Sequence, residues 1–234
     1  DDPAGFRMLA IIGVVLFAMK SVVAVESKHT GEAIPGPLAW WAWAAAWPGM
    51  APSLFAHLDQ PDTAPAPPAY LDRRDATDFF LRGIVRIFIG VALLGVAHLS
   101  WTWSGSRVLA TVFALPGLSL ILHFGLFNLA CGFWRLLGVP TYTLFPAPLL
   151  STSLAEFWGR RWNLPFTEMI QRALYRPLST PLGRNVAAAV GFFCSGLLHE
   201  CAISVPVMQG FGWPMLYFAI HGALVVVERS TGLS

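Results

Sequence analysis

The chain has 234 residues, 56% of them hydrophobic and only 12% charged, and its mean hydropathy is +0.60. Soluble domains carry about a quarter charged residues, so this composition excludes an ordinary soluble protein and indicates an integral membrane protein. The net charge of +2 and the lack of a basic run with interleaved aromatic residues argue against nucleic-acid binding.

The first two predicted spans are Met8–Val25 and Leu38–Leu58. Lys20 is near enough to the end of the first span for its ammonium group to reach the membrane interface. Pro48 and Gly49 interrupt the second span and predict a kinked or broken helix. Because a broken membrane helix is tolerated only where protein or a water-filled cavity covers its freed carbonyls, this segment is a candidate chamber wall.

The middle of the chain contains two further predicted spans. A proline-rich loop, Asp59–Ala69, and a charged interfacial segment, Tyr70–Arg82, precede them. The spans themselves are Ile84–Trp103 and Val108–Ala130, joined by a tight turn at residues 104–106.

The next two segments are not predicted to cross. Three prolines divide Cys131–Leu150 into short pieces, which favours a re-entrant or interfacial segment. In Ser153–Pro177, apolar positions lie opposite arginines around a helix, and Pro165 breaks the segment after Asn163. This pattern predicts an amphipathic surface element.

Two apolar segments remain, Val186–Val207 and Gly210–Val227, and the sequence therefore predicts an all-α polytopic bundle of about six spans. This layout puts twelve arginines on one face and Lys20, Lys28 and Arg107 on the other. By the positive-inside rule the arginine-rich face is cytoplasmic. The twelve are Arg7, Arg73, Arg74, Arg82, Arg86, Arg135, Arg160, Arg161, Arg172, Arg176, Arg184 and Arg229.

His199 and Glu200 lie side by side inside the Val186–Val207 segment, where an ionisable group costs about 2.5 kcal/mol or more on insertion scales. Such residues are usually functional, and His199 is the candidate catalytic base. Gly191, Ser195 and Gly196 are small enough to let neighbouring helices approach closely. Glu200 points about 100° away from His199 around the helix, so it is expected to brace another group rather than orient the imidazole.

Three chemical roles compete for His199, beside a structural one as a buried histidine bonded to a carbonyl. No second histidine has metal-ligand spacing, so no metal site is predicted. Ser195 is four residues away, but no nucleophile elbow surrounds it. A lone general base needs only a neutral imidazole in an apolar chamber, which burial favours.

The other histidines and the cysteines are assigned structural roles. His98, His123 and His221 lie in spans and are expected to bond to neighbouring helices, and His57 is expected at the interface. The three cysteines, Cys131, Cys194 and Cys201, lack zinc or redox spacing and are predicted to be small buried hydrophobic residues. The ten tryptophans are typical of residues at the membrane interfaces.

Asn163 lies in an arginine-rich stretch and has two interpretations. It is either a cap or turn residue before Pro165, or an amide that holds a reacting carbonyl oxygen. The adjacent Arg160 and Arg161 are either a solvated face or contacts for the phosphates of a nucleotide-bearing cosubstrate such as coenzyme A.

These motifs resemble the wax-synthase branch of the membrane-bound O-acyltransferase family. The matching stretches occur in the family's order and together are fairly specific: Ala46-Trp-Pro-Gly-Met50, Ser153-Leu-Ala-Glu-Phe-Trp-Gly-Arg-Arg-Trp-Asn-Leu-Pro-Phe166, Leu174-Tyr-Arg-Pro177 and Ser195-Gly-Leu-Leu-His-Glu200.

The resemblance implies an acyl-CoA-dependent O-acyltransferase with His199 as the catalytic residue and Asn163 as the second family residue. Acyl-CoA is then a cosubstrate, contacted by Arg160, Arg161 and Trp162, and no cofactor is permanently bound. The acceptor is a lipid alcohol within the membrane, of a type left open because the branch also acylates other alcohols. A bacterial protein of this kind is expected in the cytoplasmic membrane, and a eukaryotic one in the endoplasmic reticulum.

Residues 1–234 are accordingly expected to form a single integral-membrane domain. Family members usually have further helices on both sides, so the chain is expected to be a fragment. Two other classes stay open: a transporter or proton-relay protein, which membrane histidines and carboxylates also build, and a structural membrane subunit. The paired broken helices of transporter repeats are not evident in the sequence.

Overall fold

The computed structural model describes residues 2–56, 58–59 and 75–232. Within these ranges the regular elements are helices and no strand occurs, which confirms the all-α class. Four helical stretches are long and apolar enough to cross a membrane: Ala4–His29, Ala76–Ser104, Arg107–Leu136 and Arg184–Val207. The count of about six spans stays a prediction. His57, nearly all of the predicted proline-rich loop and Arg73 lie outside the described residues.

The residues cluster into two compact units, one comprising Asp1–Pro52 with Pro146–Ser234 and the other Ser53–Phe145. A single domain over the whole chain stays a prediction.

The first unit opens with α1 (Ala4–His29), which is longer than the predicted first span. The predicted second span is not one helix, because α2 (Pro37–Ala46) ends before Pro48 and the next helical turn, α3 (Ser53–Ala56), belongs to the second unit. The predicted break at Pro48 and Gly49 is therefore confirmed. Proline lacks an amide hydrogen and cannot continue the hydrogen-bond ladder of a helix.

Lys20 covers the carbonyls that this break exposes. Its side chain is 1% exposed, and its ammonium donates to the carbonyls of Trp43 at 2.9 Å and Gly49 at 3.0 Å. The Trp43 ring centroid is 4.0 Å from the ammonium nitrogen. The prediction that Lys20 reaches the membrane interface is wrong, because its ammonium group is hydrogen-bonded to backbone carbonyls inside the unit. Protein thus covers carbonyls at the break, but the described residues of this segment line neither of the two cavities reported below, and its role as a chamber wall stays a prediction.

The second unit contains a helical hairpin. Its first arm is α4 (Ala76–Ser104), and its second arm consists of α5 (Arg107–Ser119), the π-helical stretch Leu120–Leu126 and α6 (Phe127–Leu136). The arms meet at glycines: a Cβ added at Gly90 would lie 2.7 Å from the Gly117 carbonyl oxygen. Gly105 adopts a left-handed conformation (φ 63°) between the arms, which confirms the predicted tight turn.

Cys131–Leu150 differs in part from its prediction. Its first residues complete α6, whereas residues 137–147 are non-helical and largely buried, so no helix crosses here. The chain folds back on its own helix end: the Thr141 hydroxyl donates to the Cys131 carbonyl at 2.9 Å, and Arg135 Nε donates to the Thr141 carbonyl at 2.6 Å. These bonds satisfy backbone groups that a non-helical segment leaves unpaired.

The rest of the first unit is built from short helices followed by two long ones. A 3₁₀ turn, Pro148–Leu150, precedes α7 (Leu154–Glu156) and its π-helical continuation Phe157–Arg161. Then follow α8 (Leu164–Ile170), the π-helical stretch Gln171–Tyr175, α9 (Arg176–Leu182), α10 (Arg184–His199), the π-helical stretch Glu200–Ser204, α11 (Val205–Val207) and α12 (Trp213–Thr231).

Ser153–Pro177 forms short helices, none of which is long enough to cross a membrane, and its place at the membrane interface stays a prediction. The break before Pro165 is present, but most of the segment is half-buried and Met169 is buried. Ile170 lies against Gly191, where an added Cβ would approach Ile170 Cγ2 to 3.0 Å. Arg172, assigned to the solvated face, pairs with Glu32 at 2.8 Å. The helical period correctly identified two faces, but both faces have protein neighbours.

We expect Lys20→Met to lower the free energy of unfolding by about 2–4 kcal/mol, because it removes a charged donor from two buried carbonyls and leaves the Gly49 carbonyl only the Trp43 indole N–H. Thermal unfolding in detergent measures this change. Lys28→Met is the matched control, since Lys28 lies on the same helix and is exposed. Equal melting temperatures for the two variants would contradict the structural role of Lys20.

Candidate active site

His199 is the last residue of α10, where the helix widens into a π-helical turn. Its Nδ1 lies 2.7 Å from the backbone carbonyl oxygen of Ser195. A carbonyl only accepts, so Nδ1 carries the hydrogen and donates it, and in the neutral ring the basic lone pair is on Nε2. No other described residue hydrogen-bonds this imidazole. Within the described chain, Nε2 is therefore available to a ligand.

The imidazole borders a cavity of about 600 Å³ in the first unit. Most of the lining is aromatic or apolar, and α12 supplies one wall. The lining residues are Phe157, Trp158, Trp162, His199, Ile203, Ser204, Gln209, Gly210, Trp213, Pro214, Tyr217 and Phe218. Such a lining accepts an apolar ligand, and the titratable groups among the described lining residues are His199 and Tyr217.

Two aromatic rings contact the imidazole. The Phe218 ring centroid is 4.4 Å from that of His199, and the Phe166 centroid is 6.4 Å away in an edge-on arrangement. Gly196 allows this packing: an added Cβ would lie 2.8 Å from Met215 Sδ and 3.4 Å from Phe218 Cβ. The prediction that small residues let neighbouring helices approach is confirmed at Gly196, as it is at Gly191.

Glu200 braces the far wall of the cavity, as predicted. Its carboxylate accepts the backbone N–H groups of Gly212 at 2.8 Å and Met215 at 3.4 Å, which are the first donors of α12. A carboxylate is favourable there because the first amides of a helix lack partners inside the helix. Glu200 therefore holds the helix that carries Phe218, and it does not contact the imidazole.

Asn163 precedes α8 in a left-handed conformation, with φ 49° and ψ 59°. Its side chain does not cap the helix. The turn interpretation of its backbone is therefore confirmed, whereas a side-chain cap is absent. The residue follows Trp162, which lines the His199 cavity, but Asn163 itself lines neither that cavity nor the smaller one beside it. A catalytic role for the amide stays a prediction.

The three predicted acyl-CoA contacts occupy different environments. Arg160 is exposed, whereas Arg161 Nη2 forms an ion pair with Glu156 at 2.6 Å. Trp162 borders the His199 cavity and stacks on Phe157 with ring centroids 5.5 Å apart. The Thr152 backbone N–H and hydroxyl, followed by Arg161, hold the pKa of Glu156 at about 2, so this carboxylate is ionised at neutral pH and retains Arg161.

The remaining histidines divide by environment. His221 accepts a hydrogen bond from Trp158 Nε1 at 3.1 Å, which confirms its predicted bond to a neighbouring helix. His123 instead bonds Ser119 within its own helix at 3.0 Å. His98 is exposed on α4 and bonds no described residue, so the predicted interhelical bond is wrong. An exposed position on a helix provides no partner within reach.

Two other chemical readings can be compared with the geometry. His199 bonds the Ser195 carbonyl rather than the hydroxyl, an arrangement that does not activate a serine nucleophile. Among the described residues no three metal-binding side chains converge. Cys131 is buried as predicted, but Cys194 and Cys201 are only half-buried, and all three are free thiols.

A second, smaller cavity of about 170 Å³ lies beside the first. Trp158 and Phe218 line both cavities, and Ser195, whose carbonyl holds His199, lines the smaller one. Neither Trp158 nor Phe218 was predicted as a site residue from the sequence, and the tryptophans were interpreted as interfacial. For α12 a signal was available: Trp213 and Tyr217 are four residues apart, as are Pro214 and Phe218, so each of these two pairs lies on one face of the helix.

These features define a helical membrane protein with a base-competent histidine in an apolar chamber. Residues 141–220 match the model of the membrane bound O-acyl transferase family, a match that includes His199 and Asn163. The resemblance of the chain to this family, in its wax-synthase-like branch, is thereby confirmed.

Curated relatives agree with this match. The chain is 36% identical over 101 residues to a long-chain-alcohol O-fatty-acyltransferase of Simmondsia chinensis, a match covering 39% of this chain and 29% of that protein. It is 39% identical over 92 residues to acyl-CoA–sterol O-acyltransferase 1 of Arabidopsis thaliana, covering 36% and 27%. The matched part is under a third of the length of these relatives. No solved structure matches the chain.

We expect Glu200→Ala to lower the melting temperature, because the first amides of α12 lose their acceptor. Glu200→Gln should retain part of the stability, since its amide oxygen still accepts one N–H. Melting temperatures in detergent test both. Glu26→Ala removes a carboxylate on α1 that bonds no described residue through its side chain. A melting temperature of Glu200→Ala equal to that of this control would rule out the bracing role.

Proposed function

We propose that the chain is the His199-bearing part of a membrane-embedded O-acyltransferase, which moves an acyl group from acyl-CoA to the hydroxyl of a lipid alcohol. The observation that carries the proposal is the His199 imidazole, whose Nδ1 is held by the Ser195 carbonyl while Nε2 stays available beside an aromatic cavity. The family match over residues 141–220 supports the reaction class.

In the proposed reaction His199 Nε2 accepts the proton of the alcohol as its oxygen attacks the thioester carbonyl. A carbon–oxygen bond forms, the carbon–sulfur bond breaks, and coenzyme A leaves as the thiolate. The imidazolium proton then passes to the thiolate, so the base is regenerated without an acyl-enzyme. A positioned base contributes about 10²–10⁴-fold to the rate. Holding two apolar substrates together supplies much of the remainder.

The cavity environment suits this chemistry for two reasons. Its aromatic lining favours the neutral imidazole that a general base requires, and it accepts the apolar parts of both substrates. The Ser195 carbonyl also keeps the ring in one tautomer and orientation. Acyl-CoA is a cosubstrate in this scheme, and no permanently bound cofactor is invoked.

Asn163 is proposed to hold the reacting carbonyl oxygen. Asparagine tolerates the left-handed backbone that this position requires, and its amide bonds no described side chain or backbone group. It lies between Trp162, which borders the cavity, and Leu164, two residues before Phe166, whose ring contacts His199. Arg160, Arg161 and Trp162 remain proposed contacts of acyl-CoA.

The acceptor is proposed to be a lipid alcohol. The names of the relatives mention both long-chain alcohols and sterols, and the cavity lining accepts either as an apolar ligand. The protein is proposed to be a multi-pass membrane protein. The predicted sidedness does not hold for Arg172, because its ion pair with Glu32 at 2.8 Å puts it beside the connector that carries Lys28, which was assigned to the opposite face. Labelled acyl-CoA, incubated with membranes and a panel of alcohols, separates this function from transport: ester formation supports the enzyme, and substrate flux without ester supports a transporter.

We expect His199→Ala in the full-length protein to lower acyl transfer by about 10²–10⁴-fold while acyl-CoA binding is largely retained. His199→Gln should be no better, because glutamine keeps a hydrogen bond but cannot accept the proton. Initial rates of ester formation and labelled acyl-CoA binding measure the two effects.

His123→Ala is the matched control, and a modest loss at most is expected, since this imidazole lies in the second unit and lines neither cavity beside His199. Substantial turnover by a folded His199→Gln protein would contradict the assignment of His199 as base. Glutamine can replace the hydrogen bond of a structural histidine, but it cannot accept the proton of the alcohol.

We expect Asn163→Ala to reduce kcat while the protein stays folded and inserted, because the amide is proposed to act on the reacting carbonyl. A loss of about 10²–10³-fold is typical for one such donor. Measurements of kcat and of melting temperature on the same preparation test this. A loss that follows reduced stability, with unchanged activity per folded molecule, would leave Asn163 as a turn residue only.

A further inference from the structure

Trp158 forms part of the boundary between the two cavities, and hydrogen bonds hold it there. Its indole belongs to the lining of both cavities, together with Phe218. The indole N–H donates to Nδ1 of His221 at 3.1 Å. The Thr167 hydroxyl donates to the Trp158 carbonyl at 2.8 Å, so the backbone of this residue is fixed as well as its side chain.

The bond from the indole determines what His221 can do. An indole N–H only donates, so Nδ1 of His221 is the acceptor, and in the neutral ring the hydrogen is on Nε2. His199 has the opposite arrangement, because its Nδ1 donates to the Ser195 carbonyl. The basic lone pair of His221 is therefore used by Trp158, whereas that of His199 is available to a ligand.

A second polar contact joins the segment that carries Trp158 to α12. The Glu228 carboxylate accepts the backbone N–H groups of Leu154 at 3.2 Å and Ala155 at 2.9 Å, at the start of α7. His221 and Glu228 are seven residues apart, about two helical turns, so they lie on the same face of α12. This face therefore holds α7 and its π-helical continuation at two points.

The aromatic neighbours of Trp158 do not fix the direction of its N–H. The ring centroid of Trp158 lies 5.5 Å from that of Phe218, 5.8 Å from that of Phe192 and 6.4 Å from that of Tyr217. These contacts are apolar and are available to either edge of an indole. An N–H without a partner is unfavourable in apolar surroundings, so the bond to His221 selects one orientation of the ring.

We propose that Trp158, positioned by His221, determines which acceptor alcohols the larger cavity accepts. This inference rests on the proposed acyl transfer to an alcohol bound beside His199. The larger cavity has a volume of about 600 Å³ and the smaller one about 170 Å³. With the indole in place the acceptor is confined to the larger cavity. When the indole is removed or turned aside, the two spaces join and a wider ligand fits.

The boundary lies close to the reacting groups. Phe218 contacts both rings, with centroid distances of 4.4 Å to His199 and 5.5 Å to Trp158. An acceptor whose hydroxyl is at the imidazole therefore has its first carbon atoms near the indole. An unbranched chain adapts by rotation about its single bonds, whereas a fused-ring alcohol such as a sterol is wide and rigid. The indole thus favours unbranched alcohols over fused-ring alcohols.

The test measures ester formation in the full-length protein from one acyl-CoA and two alcohols, an unbranched long-chain alcohol and a sterol. Trp158→Ala should raise the ratio of kcat/KM for the sterol to that for the unbranched alcohol about 10-fold, because selectivity in an apolar pocket depends on its shape. His221→Phe should shift the ratio in the same direction, since phenylalanine retains a ring beside Tyr217 but accepts no hydrogen bond. His98→Phe is the control, because His98 is exposed on α4.

A double-mutant cycle shows whether His221 acts through the indole N–H. Trp158→Phe retains an aromatic ring without an N–H, so His221→Phe should leave the ratio unchanged in that background. His221→Asn should retain the wild-type ratio, because its amide oxygen accepts the bond in place of Nδ1. The ratio does not depend on the fraction of folded protein, so a merely structural role of His221 would not change it. Equal shifts by His221→Phe with and without Trp158→Phe would overturn the positioning role.

Equilibrium binding of the two labelled alcohols separates this proposal from the proposed function. If the wild-type protein forms no ester, acyl transfer fails, while a higher affinity of Trp158→Ala for the sterol relative to the unbranched alcohol still supports the boundary role. If the wild-type protein is active but Trp158→Ala changes neither the ratio of rates nor the ratio of affinities, the specificity role is wrong.

Discussion

The constraint on which the first unit depends is the pairing of backbone groups where helices break or begin inside apolar surroundings. Lys20 donates to two carbonyls at the break after α2, Glu200 accepts amides at the start of α12, and Glu228 does so at α7. Removing any of these three side chains would take a hydrogen-bond partner from backbone groups. Unpaired backbone groups raise the free energy of the folded state where no water replaces the partner. These three ionisable side chains therefore serve the backbone.

His199 differs from these residues because it has two nitrogens and uses only one for the backbone. Nδ1 is bound to the Ser195 carbonyl, which orients the ring, and the residue borders the larger cavity, while Nε2 bonds no described residue. Both side chains, Lys20 and His199, donate to backbone carbonyls, but after this bond His199 still has a basic nitrogen, Nε2, without a described partner. The two adjacent ionisable residues therefore have different roles. Glu200 binds the start of α12, which forms one wall of the cavity, and His199 borders the cavity itself.

The cavities depend on where bulky and small residues alternate. Gly196 and Gly222 let α10 and α12 approach so closely that Phe218 meets the His199 ring and Phe192 fills the space at Gly222. Phe218 and Trp158 then form a shared wall between the two cavities. A substrate that occupied both cavities would pass this wall next to the imidazole. The packing of the two helices therefore determines how such a substrate would lie relative to His199.

The all-α class, the break at Pro48 and Gly49 and the turn at Gly105 were predictable from the sequence, because hydropathy, proline and glycine act locally. The sequence also pointed to His199 as a candidate, since an ionisable residue in an apolar segment is costly, and it indicated the family through residues near Asn163 and His199. Three features depend on tertiary contacts instead: Lys20 turns inward, the arginine-bearing helices after Asn163 are half-buried, and Phe218 and Trp158 line both cavities. Those outcomes depend on which partner lies within a few ångströms, and residues far apart in the chain supply the partner.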